Sequence, residues 1–564
     1  MDLHFTPDLA TDEERTAVDA ALPANGARVR RHLVLPALHA VQDRLGWISP
    51  GALNYVSERC GVAPADVYGV ATFYARFATK PRAARAVHVC DDIACMLAGS
   101  GALRKKLEPS EATLLSSPCL GLCDRAPAVL IETAGELPSS LSIAPATAQL
   151  SLDTSTQTRV GGPELRLLRR VGRVDPESLD DYRACGGYSA LRKAVELGPE
   201  GTVAEVVASK LLGRGGAAFP TGRKMEAVAA APARPHYLVC NADESEPGTF
   251  KDRVLMESDP FAIVEAMTIA ALAIGCERSF IYIRAEYPLA AKRIAGAIAR
   301  ARAAGLLGEN LMGTGMRLEI EIRRGAGAYI CGEETALFNS IEGKRGEPRS
   351  KPPFPVQAGL FGKPTLVNNV ETLANLPLVL LDGGAAYARI GTAESTGTRL
   401  FCLSGAIARP GLYEAAHGTT LRALIEMAGG LPAGRRLQAI LLGGAAGTFV
   451  APDALDMRLS FEDARAAGAT LGSGVVMPFD ETADMLAVVR RVARFFREES
   501  CGQCVPCRVG TVRQEEALER NDFGLLDEIG RVMRDASICG LGQTAANAIE
   551  SARRNLKLFG AGAP

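Results

Sequence analysis

A triple cysteine run near the C-terminus has the spacing of an iron–sulfur site. It reads C-x2-C-x2-C, and a fourth cysteine follows 32 positions later, which gives the set Cys501, Cys504, Cys507 and Cys539. Four thiolates can hold a [4Fe–4S] cluster, and a tight run that supplies three of them is typical of such sites. Zinc also accepts four cysteines, but structural zinc sites usually use two separated C-x2–4-C pairs. We therefore predict a [4Fe–4S] cluster, with zinc as the alternative.

A second set of four cysteines lies near the N-terminus in two pairs. A C-x4-C pair is followed by a C-x3-C pair, formed by Cys90, Cys95, Cys119 and Cys123. Two loops with two thiolates each can hold a two-iron [2Fe–2S] cluster, and a zinc site or two redox pairs are the alternatives. The other six cysteines have no partner at ligand spacing, and most are expected in the core: Cys60, Cys185, Cys240, Cys276, Cys331 and Cys402.

Between the two sets lies a glycine-rich basic loop, residues 213–224, which reads GRGGAAFPTGRK. Its glycines allow a ligand to approach the backbone closely. Backbone N–H groups of such a loop, together with the cations of Arg214 and Lys224, suit a phosphate group. A purely structural turn is the alternative.

Two acidic segments accompany the basic loop. Residues 327–335 (GAYICGEET) have the glycine spacing of a P-loop, but Glu333 stands where that motif has its lysine. Two carboxylates would repel a triphosphate, so ATP hydrolysis is not expected. Residues 241–246 (NADESE) follow a predicted strand end, the usual ligand position in an open α/β sheet. Either run alone could be a solvated turn, but with the basic loop they predict a flavin–dinucleotide pocket.

Composition indicates an ordinary globular protein of roughly three to five domains in 564 residues. Hydrophobic residues make up 47%, and 63 basic against 64 acidic residues leave a net charge of −1, which favours neither nucleic acid nor a membrane surface as a partner. The most apolar stretch, residues 261–276, is interrupted by Glu265 and is too short to span a bilayer. The N-terminus is polar, without an apolar signal core. Fourteen cysteines without a secretory signal favour metal ligation in a reducing cytoplasm.

The elements that must position these motifs follow the hydrophobic periodicity. Apolar residues at helical spacing predict helices in residues 30–78, and Ser49-Pro50 predicts an N-cap with proline at the first helical position. Residues 84–133 predict strands on either side of a helix, and the Ser-, Thr-, Ala- and Pro-rich residues 134–158 predict a linker. Strand-like runs alternate with Ala-rich helices from 160 to 395, as in an α/β domain. A small α+β module and a helical C-terminus then follow.

The chain resembles two subunits of respiratory complex I. From Gly213 to Cys539 it is similar to the flavoprotein subunit, and residues 30–133 resemble the thioredoxin-like [2Fe–2S] subunit, including its helical preamble. The matching motifs are GRGGAAFPTGRK, NADESEPGTFKDR, GAGAYICGEETAL, NNVET, ESCGQCVPCRVGT and GVATFYARF. In complex I these are usually separate chains, whereas here they are fused.

The resemblance implies a multidomain α/β fold in five parts. They are an N-terminal helical segment (1–80), a thioredoxin-like [2Fe–2S] domain (81–155), a Rossmann-like FMN/NAD-binding domain (156–395), a ubiquitin-like, SLBB-type domain (396–480) and a C-terminal helical bundle with the [4Fe–4S] cluster (481–564).

The resemblance also implies cofactor roles. FMN would be held by Gly213, Arg214, Gly215, Lys224, Asn241, Asp243, Tyr329, Gly332, Glu333, Asn368 and Asn369. NAD(H) would be held by Phe219, Glu246, Glu334, Lys351 and Phe354, with the nicotinamide stacked over the flavin. Hydride then passes between nicotinamide and flavin, and single electrons pass between FMN and the [4Fe–4S] cluster. No side chain is expected to act as a catalytic acid or base, because the flavin does the chemistry and Glu246 and Glu334 position the nucleotide.

The chain has no recognisable second substrate site and no quinone site, so it is expected to be one component of a larger oxidoreductase. Fusion of the two modules favours the beta, or diaphorase, subunit of a soluble NAD-dependent formate dehydrogenase, whose molybdopterin (Mo or W) alpha subunit oxidises formate. A NAD-reducing nickel–iron hydrogenase and complex I itself are the alternatives. The chain ends 25 residues after Cys539, which weighs against an NADP-reducing hydrogenase with appended ferredoxin-like motifs. A zinc-stabilised scaffold is the non-enzymatic alternative.

Overall fold

The computed structural model describes residues 6–23, 30–108, 111–143 and 158–558. The N-terminal part is helical and comprises α1 (Asp12–Ala21), α2 (Val34–Leu45), α3 (Pro50–Cys60) and α4 (Pro64–Phe73). The Ser49 hydroxyl accepts a hydrogen bond from the Ala52 N–H at 3.0 Å, with Pro50 at the first helical position, so the predicted cap is confirmed.

The next domain is a small sheet with helices. Its elements are β1 (Arg85–Cys90), α5 (Ile93–Leu97), α6 (Ser100–Leu107), β2 (Thr113–Ser117), β3 (Val129–Thr133) and β4 (Ser139–Ile143), in the strand order β2-β1-β3-β4. Strand β1 pairs parallel to β2 and antiparallel to β3.

Strand β4 corrects one expectation, because it lies in the segment predicted as a linker. It pairs with β3 along its whole length, and Leu141 and Ile143 pack into the core of this domain. Only these two apolar side chains alternate with serines, so the composition indicated a loop while the pairing with β3 made a strand. Residues 144–157 of the predicted linker lie outside the described residues.

The central domain is built on a parallel sheet in the order β8-β7-β6-β9. The elements from residue 160 to 387 are β5 (Val160–Gly161), α7 (Leu179–Ala184), α8 (Ser189–Ala208), α9 (Thr221–Ala229), β6 (His236–Ala242), α10 (Lys251–Ser258), α11 (Pro260–Ile274), β7 (Cys276–Ile283), α12 (Pro288–Ala303), β8 (Glu319–Arg324), α13 (Glu334–Ile341), α14 (Pro355–Ala358), β9 (Thr365–Asn369), α15 (Val370–Ala374), α16 (Leu376–Asp382) and α17 (Gly384–Tyr387). Every residue of α11 is buried, which confirms the interior helix predicted from its apolar run.

A small mixed sheet follows in the order β13-β12-β14-β10-β11-β5, so β5 leaves the central domain to pair with β11 at its edge. Its further elements are β10 (Thr398–Leu403), β11 (Gly411–Ala416), α18 (Leu421–Met427), β12 (Leu437–Leu442), β13 (Thr448–Val450), α19 (Phe461–Ala466) and β14 (Val475–Asp480). The C-terminal bundle comprises α20 (Met485–Glu499), α21 (Val505–Arg520), α22 (Leu526–Ala536), α23 (Gly540–Thr544) and α24 (Asn547–Leu556). The predicted multidomain α/β architecture is therefore confirmed. In the described part of the chain, no helix combines the length and apolar character needed to cross a membrane.

Candidate functional site

A cleft opens at the carboxyl ends of the central parallel strands, where open α/β sheets bind ligands. Asn241 near the end of β6 lies opposite Asn369 at the end of β9 in the strand pairing, and Asp243 follows directly after β6. The Asn241 side-chain amide donates to the Gly332 carbonyl at 2.8 Å, which holds the GAYICGEET loop against the strand ends. The sheet thus brings two distant sequence motifs together.

The cleft has a cavity volume of about 230 Å³ and is partly open to solvent. Eight residues that the sequence predicted as cofactor ligands line it: Gly215, Asn241, Asp243, Glu246, Tyr329, Gly332, Glu333 and Asn369. The other lining residues were not predicted: Glu244, Ser245, Thr249, Lys251, Asp252, Ile330, Ser473, Gly540 and Leu541. Glu244 and Ser245 lie inside the NADESE run, so their place in that motif was the signal that could have identified them.

Glu333, which stands where a P-loop has its lysine, stabilises the start of a helix. One of its carboxylate oxygens accepts hydrogen bonds from the N–H groups of Thr335 and Ala336 at 2.8 and 2.9 Å, which caps the N-terminus of α13. A carboxylate is favoured there by the orphan N–H groups and the helix dipole. The acidic residue in this glycine loop therefore orders the wall of the cleft.

Four residues predicted to hold FMN do not line the cleft. The Arg214 guanidinium is fully buried and donates to the carbonyls of Thr396 and Thr398 at 2.7 and 3.0 Å. Lys224 donates to the Val367 carbonyl at 3.1 Å, and burial lowers the pKa of its ammonium group. The other two are Gly213 and Asn368. The two carbonyls occupy Nη2 of Arg214, whereas its buried Nε and Nη1 have no hydrogen-bond partner among the described residues, and Arg214 does not line the cleft.

Of the residues predicted for NAD(H), only Glu246 lines the cleft. Lys351 forms ion pairs with Glu333, which lines the cleft, at 2.9 Å and with Glu334 at 2.7 Å. Phe219 and Phe354 are about half exposed, at 50% and 52%. Exposed aromatic rings are unusual in a monomer surface and suit stacking against a planar ring.

Glu246 is anchored by the small mixed sheet. One of its oxygens accepts a hydrogen bond from the Ala446 N–H at 2.9 Å, in the turn between β12 and β13. The same turn contains Gly444, where an added Cβ would lie 2.6 Å from the Glu246 carboxyl carbon. Burial raises the pKa of Glu246 to about 7. The cleft therefore depends on a domain that the GRGGAAFPTGRK and NADESE motifs do not include.

Orphaned polar atoms test whether the cleft fits a flavin. One carboxyl oxygen of Asp243, which lines the cleft, is buried and has no hydrogen-bond partner among the described residues. The buried amide nitrogen of Asn368, beside Asn369 in β9, is also without a partner there, although Asn368 does not line the cleft itself. Burial also raises the pKa of Asp243 well above its usual range. Buried polar groups without partners are costly, so a ligand with both donors and acceptors, such as the polar edge of FMN, satisfies them.

A buried lysine that the sequence did not single out lies at the bottom of the cleft. The Lys251 ammonium is 2.7 Å from Asp252 and 3.3 Å from Glu371, and it donates to the Asn369 side chain at 3.2 Å. A charge buried this deeply requires such partners. This network fixes Asn369, and its partner Glu371 belongs to the NNVET motif.

The N-terminal cysteines converge around β1 of the thioredoxin-like domain. Cys90 ends β1, Cys95 lies in α5, and the Sγ atoms of Cys119 and Cys123 are 3.2 Å apart. All four are buried. Hydrogen bonds from neighbouring thiols and burial raise the pKa of Cys90 and Cys123 well above the usual range. Four thiols so close ionise together only when metal supplies positive charge, so this donor set fits a [2Fe–2S] cluster.

The C-terminal cysteines lie where α20, α21 and α23 meet. Cys504 precedes α21, Cys507 is in its first turn, and Cys539 precedes α23. Burial raises the pKa of Cys507 to about 12 and that of Cys539 to about 11. Cys501 and Cys504 are half-buried, which leaves one side of the set near the surface. The donor set fits a [4Fe–4S] cluster.

No three His, Cys, Asp or Glu side chains in the described ranges meet closely enough to hold a single metal ion. The thiolates of a cluster are divided among several irons, so they stand further apart than those around one zinc ion. Of the six other cysteines, Cys185 is exposed and the rest are buried, as expected for core residues.

The cleft and the C-terminal cysteine set share a wall. Gly540 and Leu541, which line the cleft, directly follow Cys539. From the other side, the Tyr329 N–H donates to the carboxylate of Glu499, two residues before Cys501, at 2.8 Å. A bound cofactor would therefore lie next to the cluster ligands, as electron transfer requires.

Four family profiles match successive parts of the chain. They are the thioredoxin-like [2Fe–2S] ferredoxin (residues 23–139), the Nuo51 FMN-binding domain (206–378), the SLBB domain (400–445) and the NADH-ubiquinone oxidoreductase-F iron–sulfur binding region (487–558).

Relatives match the flavoprotein part closely. The HndC component of the NADP-reducing hydrogenase of Solidesulfovibrio fructosivorans is 46% identical over 68% of this chain and 80% of its own length. The F 2 component of the NADH-quinone oxidoreductase of Rhizobium meliloti is 45% identical over 69% of this chain and 95% of its own length. A chain in the crystal structure of an NAD+-reducing [NiFe]-hydrogenase in the H2-reduced state superposes with a TM-score of 0.80 at 32% identity, over 94% of this chain and 92% of that one.

Fold, cleft and donor sets define an NADH-binding flavin and iron–sulfur subunit of an oxidoreductase, with FMN, [2Fe–2S] and [4Fe–4S] as its cofactors. The chain belongs to the family of the FMN-binding component of complex I and NADH-quinone oxidoreductases, here joined to a thioredoxin-like [2Fe–2S] domain.

Proposed function

We propose that this chain reduces NAD+ with electrons that a partner protein delivers. The observation that carries the proposal is the shared wall between the cleft and the C-terminal cysteines, formed by Gly540, Leu541 and the Tyr329–Glu499 contact. When bound, FMN exchanges a hydride with the nicotinamide and single electrons with the cluster. The protein contributes the polar ends of β6 and β9, the capped α13 and the acidic wall that orient the two ligands.

The proposed site residues keep the roles that the resemblance gave them, with one exception. Seven of the eight that line the cleft surround FMN, and the eighth, Glu246, contacts the NAD ribose. Phe219, Phe354, Glu334 and Lys351 form the entrance for the nicotinamide nucleotide. The exception is Arg214, whose guanidinium is turned to the carbonyls of Thr396 and Thr398 and which we now expect to contribute through its loop backbone.

We propose formate as the electron source, oxidised on a molybdopterin (Mo or W) partner. The fused architecture supports this proposal, since the resemblance associates it with soluble NAD-dependent formate dehydrogenases and with NAD-reducing hydrogenases, of which we favour the former. The location that fits it is the cytoplasm, since all fourteen cysteines are unpaired and the cluster ligands must stay reduced.

The surface around the C-terminal cysteines supports docking of a partner there. Five apolar side chains of the C-terminal bundle are exposed: Val505 (58%), Val509 (45%), Leu525 (59%), Val532 (48%) and Ile538 (40%). Val505 follows Cys504 and Ile538 precedes Cys539. Exposed apolar side chains concentrated on one part of a surface are typical of protein–protein contacts. A partner bound here would place its own electron carrier close to the half-exposed thiols.

A specific observation favours a second candidate, the diaphorase subunit of a NAD-reducing nickel–iron hydrogenase. The two solved hydrogenase chains cover 94% and 98% of this chain, whereas the curated relatives cover 68% to 70%, so the likeness to the hydrogenase includes the N-terminal cluster domain.

Purification of the complex discriminates between the two candidates. We expect the isolated chain to reduce artificial acceptors with NADH and to be inert towards formate, and the complex to contain molybdenum or tungsten and to reduce NAD+ with formate. Metal analysis and both coupled assays measure this. A complex that contains nickel and reduces NAD+ with hydrogen would refute formate and leave the flavin and cluster assignments intact.

Replacing Glu246 by glutamine should relax a strong preference for NAD over NADP. A carboxylate accepts hydrogen bonds from the ribose hydroxyls and repels a 2′-phosphate. The expected loss of discrimination is roughly 1–3 kcal/mol, the scale of a hydrogen bond to a charged group. The ratio of kcat/KM for NADH and NADPH measures it, and exposed Glu394→Gln is the matched control. Equal use of both cofactors by the unmodified protein would refute the assignment.

The pH dependence of kcat/KM for NADH also tests the role of Glu246. Burial raises the pKa of Glu246 to about 7, so the carboxylate that binds the ribose is protonated increasingly as the pH falls below 7. We expect kcat/KM for NADH, which reports groups of the free enzyme, to fall on the acid side with an inflection near 7. In Glu246→Gln this inflection should disappear.

A further inference from the structure

Two buried arginines of the central domain reach the ligand loop of the N-terminal cysteines. The Arg284 Nη2 donates to the Cys119 carbonyl at 2.7 Å, and the Arg253 Nε donates to the Gly121 carbonyl at 2.8 Å. Each arginine is only 2% exposed. Gly121 has a φ of +66°, and an added Cβ would lie 2.2 Å from the Tyr287 hydroxyl, so the loop fits tightly against this surface.

The same side chains contact the wall of the cleft through Glu244. The Arg284 Nη1 donates to the Glu244 carbonyl at 2.5 Å, the Arg253 N–H donates to its carboxylate at 3.0 Å, and the Tyr287 hydroxyl donates to that carboxylate at 3.1 Å. Glu244 itself lines the cleft. A continuous set of hydrogen bonds thus joins the ligand loop of one cofactor site to the wall of the other.

Both guanidinium groups are ion-paired and also donate to the loop. Arg284 is paired through Nε with Glu286 at 3.3 Å. Arg253 is paired through Nη1 with Glu257 at 2.9 Å, and its Nη2 lies 3.5 Å from Asp124 of the loop and donates to the Thr158 hydroxyl at 2.8 Å. The nitrogens that face Cys119 and Gly121 bear N–H groups that bond only backbone carbonyls of the loop. Arginine stays charged at every accessible pH, so these are permanent positive charges in a region of low dielectric constant.

We propose that Arg253 and Arg284 are positioning residues for the N-terminal [2Fe–2S] centre, which hold its ligand loop on the wall of the cleft and raise its reduction potential. The inference rests on the proposed assignment of Cys119 as a cluster ligand. A reduced cluster carries one more negative charge, and a buried cation next to a ligand stabilises that state. Charge, hydrogen bonding and burial around the ligands are what a protein uses to set such potentials.

The test is an EPR-monitored redox titration of the complete, cofactor-loaded chain. Arg284→Gln removes the charge and the fork of donors. We expect the equilibrium of the [2Fe–2S] couple to move about tenfold towards the oxidised form, which is about 59 mV more negative for a one-electron couple. The [4Fe–4S] potential should not change. Arg284→Lys, which keeps the charge, should shift the [2Fe–2S] potential by less than half as much.

Arg170 offers a matched control. It is also buried, pairs with Asp259 at 2.7 Å and lies 4.8 Å from the Tyr182 ring, much as Arg284 pairs with Glu286 and lies 5.0 Å from the Tyr287 ring. Arg170→Gln should leave the [2Fe–2S] potential unchanged. An equal shift in this control, or no shift in Arg284→Gln, would overturn the proposal.

Two further variants distinguish failure of the proposal from loss of the cofactors and from a wrong assignment of Cys119. If Arg284→Gln loses all its cofactors, Arg253→Gln makes the same test at Gly121, and an unchanged potential there overturns the proposal. Cys119→Ser tests the underlying ligand assignment, because it should eliminate or alter the [2Fe–2S] EPR signal while the [4Fe–4S] signal and FMN remain. An unaltered [2Fe–2S] signal would refute the assignment of Cys119 independently of the result at Arg284.

Discussion

Cys504→Ala should abolish electron transfer between the partner protein and NAD+ while leaving NADH-to-flavin transfer largely intact. Cys504 is a half-buried member of the C-terminal set and is followed directly by the exposed Val505. Without this ligand no carrier joins the cleft to the partner. We expect the coupled rate of the complex to fall more than about 100-fold, a change of about 2.7 kcal/mol in the barrier. Steady-state NAD+ reduction by the complex measures it.

The companion measurement is flavin bleaching by NADH under anaerobic conditions, which should change less than about threefold because the cleft keeps its own ligands. Cys185→Ala, at an exposed cysteine outside both sets, is the matched control and should behave as the unmodified chain. Retained FMN and [2Fe–2S] signals show that the variant is folded. Coupled activity that survives the loss of the [4Fe–4S] signal would contradict the proposed route.

The second large effect is expected at Gly215, which lines the cleft. An added Cβ would lie 3.1 Å from the Asn369 Cβ, so a branched side chain must displace either the strand end or the ligand. Overpacking of this kind costs about 1–3 kcal/mol. For Gly215→Val we therefore expect FMN to bind about 5- to 150-fold more weakly. The flavin content and Kd of the purified protein measure this.

The control for this substitution is Gly101→Val in α6, where nothing lies within 4 Å of an added Cβ. It should keep a full complement of FMN. Iron content should be the same in both variants, because Gly215 contacts neither cysteine set. Full flavin occupancy in Gly215→Val would show that FMN does not approach this loop.

The tertiary contacts also explain why the acidic glycine loop differs from a P-loop. Glu333 caps α13 with its carboxylate and pairs with Lys351. Its carboxylate thereby occupies N–H groups at the start of a helix, which in a P-loop bind a phosphate.

The sequence predicted the two cysteine sets, the cofactors and the multidomain α/β fold. The triple cysteine run, the Ser49-Pro50 cap and the apolar periodicity within one helix or strand are short-range patterns, whereas FMN and the five-part domain order were implied by the resemblance to complex I subunits. Such patterns specify local geometry because the residues concerned are neighbours along the chain. Strand β4 shows the limit of prediction from local sequence, because its serine-rich segment became a strand only through pairing with β3.

The tertiary structure decided where long side chains point and which motifs share a surface. Arg214 looked like a phosphate ligand, but its guanidinium binds carbonyls more than 180 positions away, at Thr396 and Thr398. Lys251 and Arg253 belong to the NADESEPGTFKDR motif, but the motif does not indicate that Lys251 reaches Glu371 or that Arg253 and Arg284 reach the loop of the N-terminal cysteines. A buried charge takes its direction from partners that can satisfy it, and those partners become neighbours only when the chain has folded.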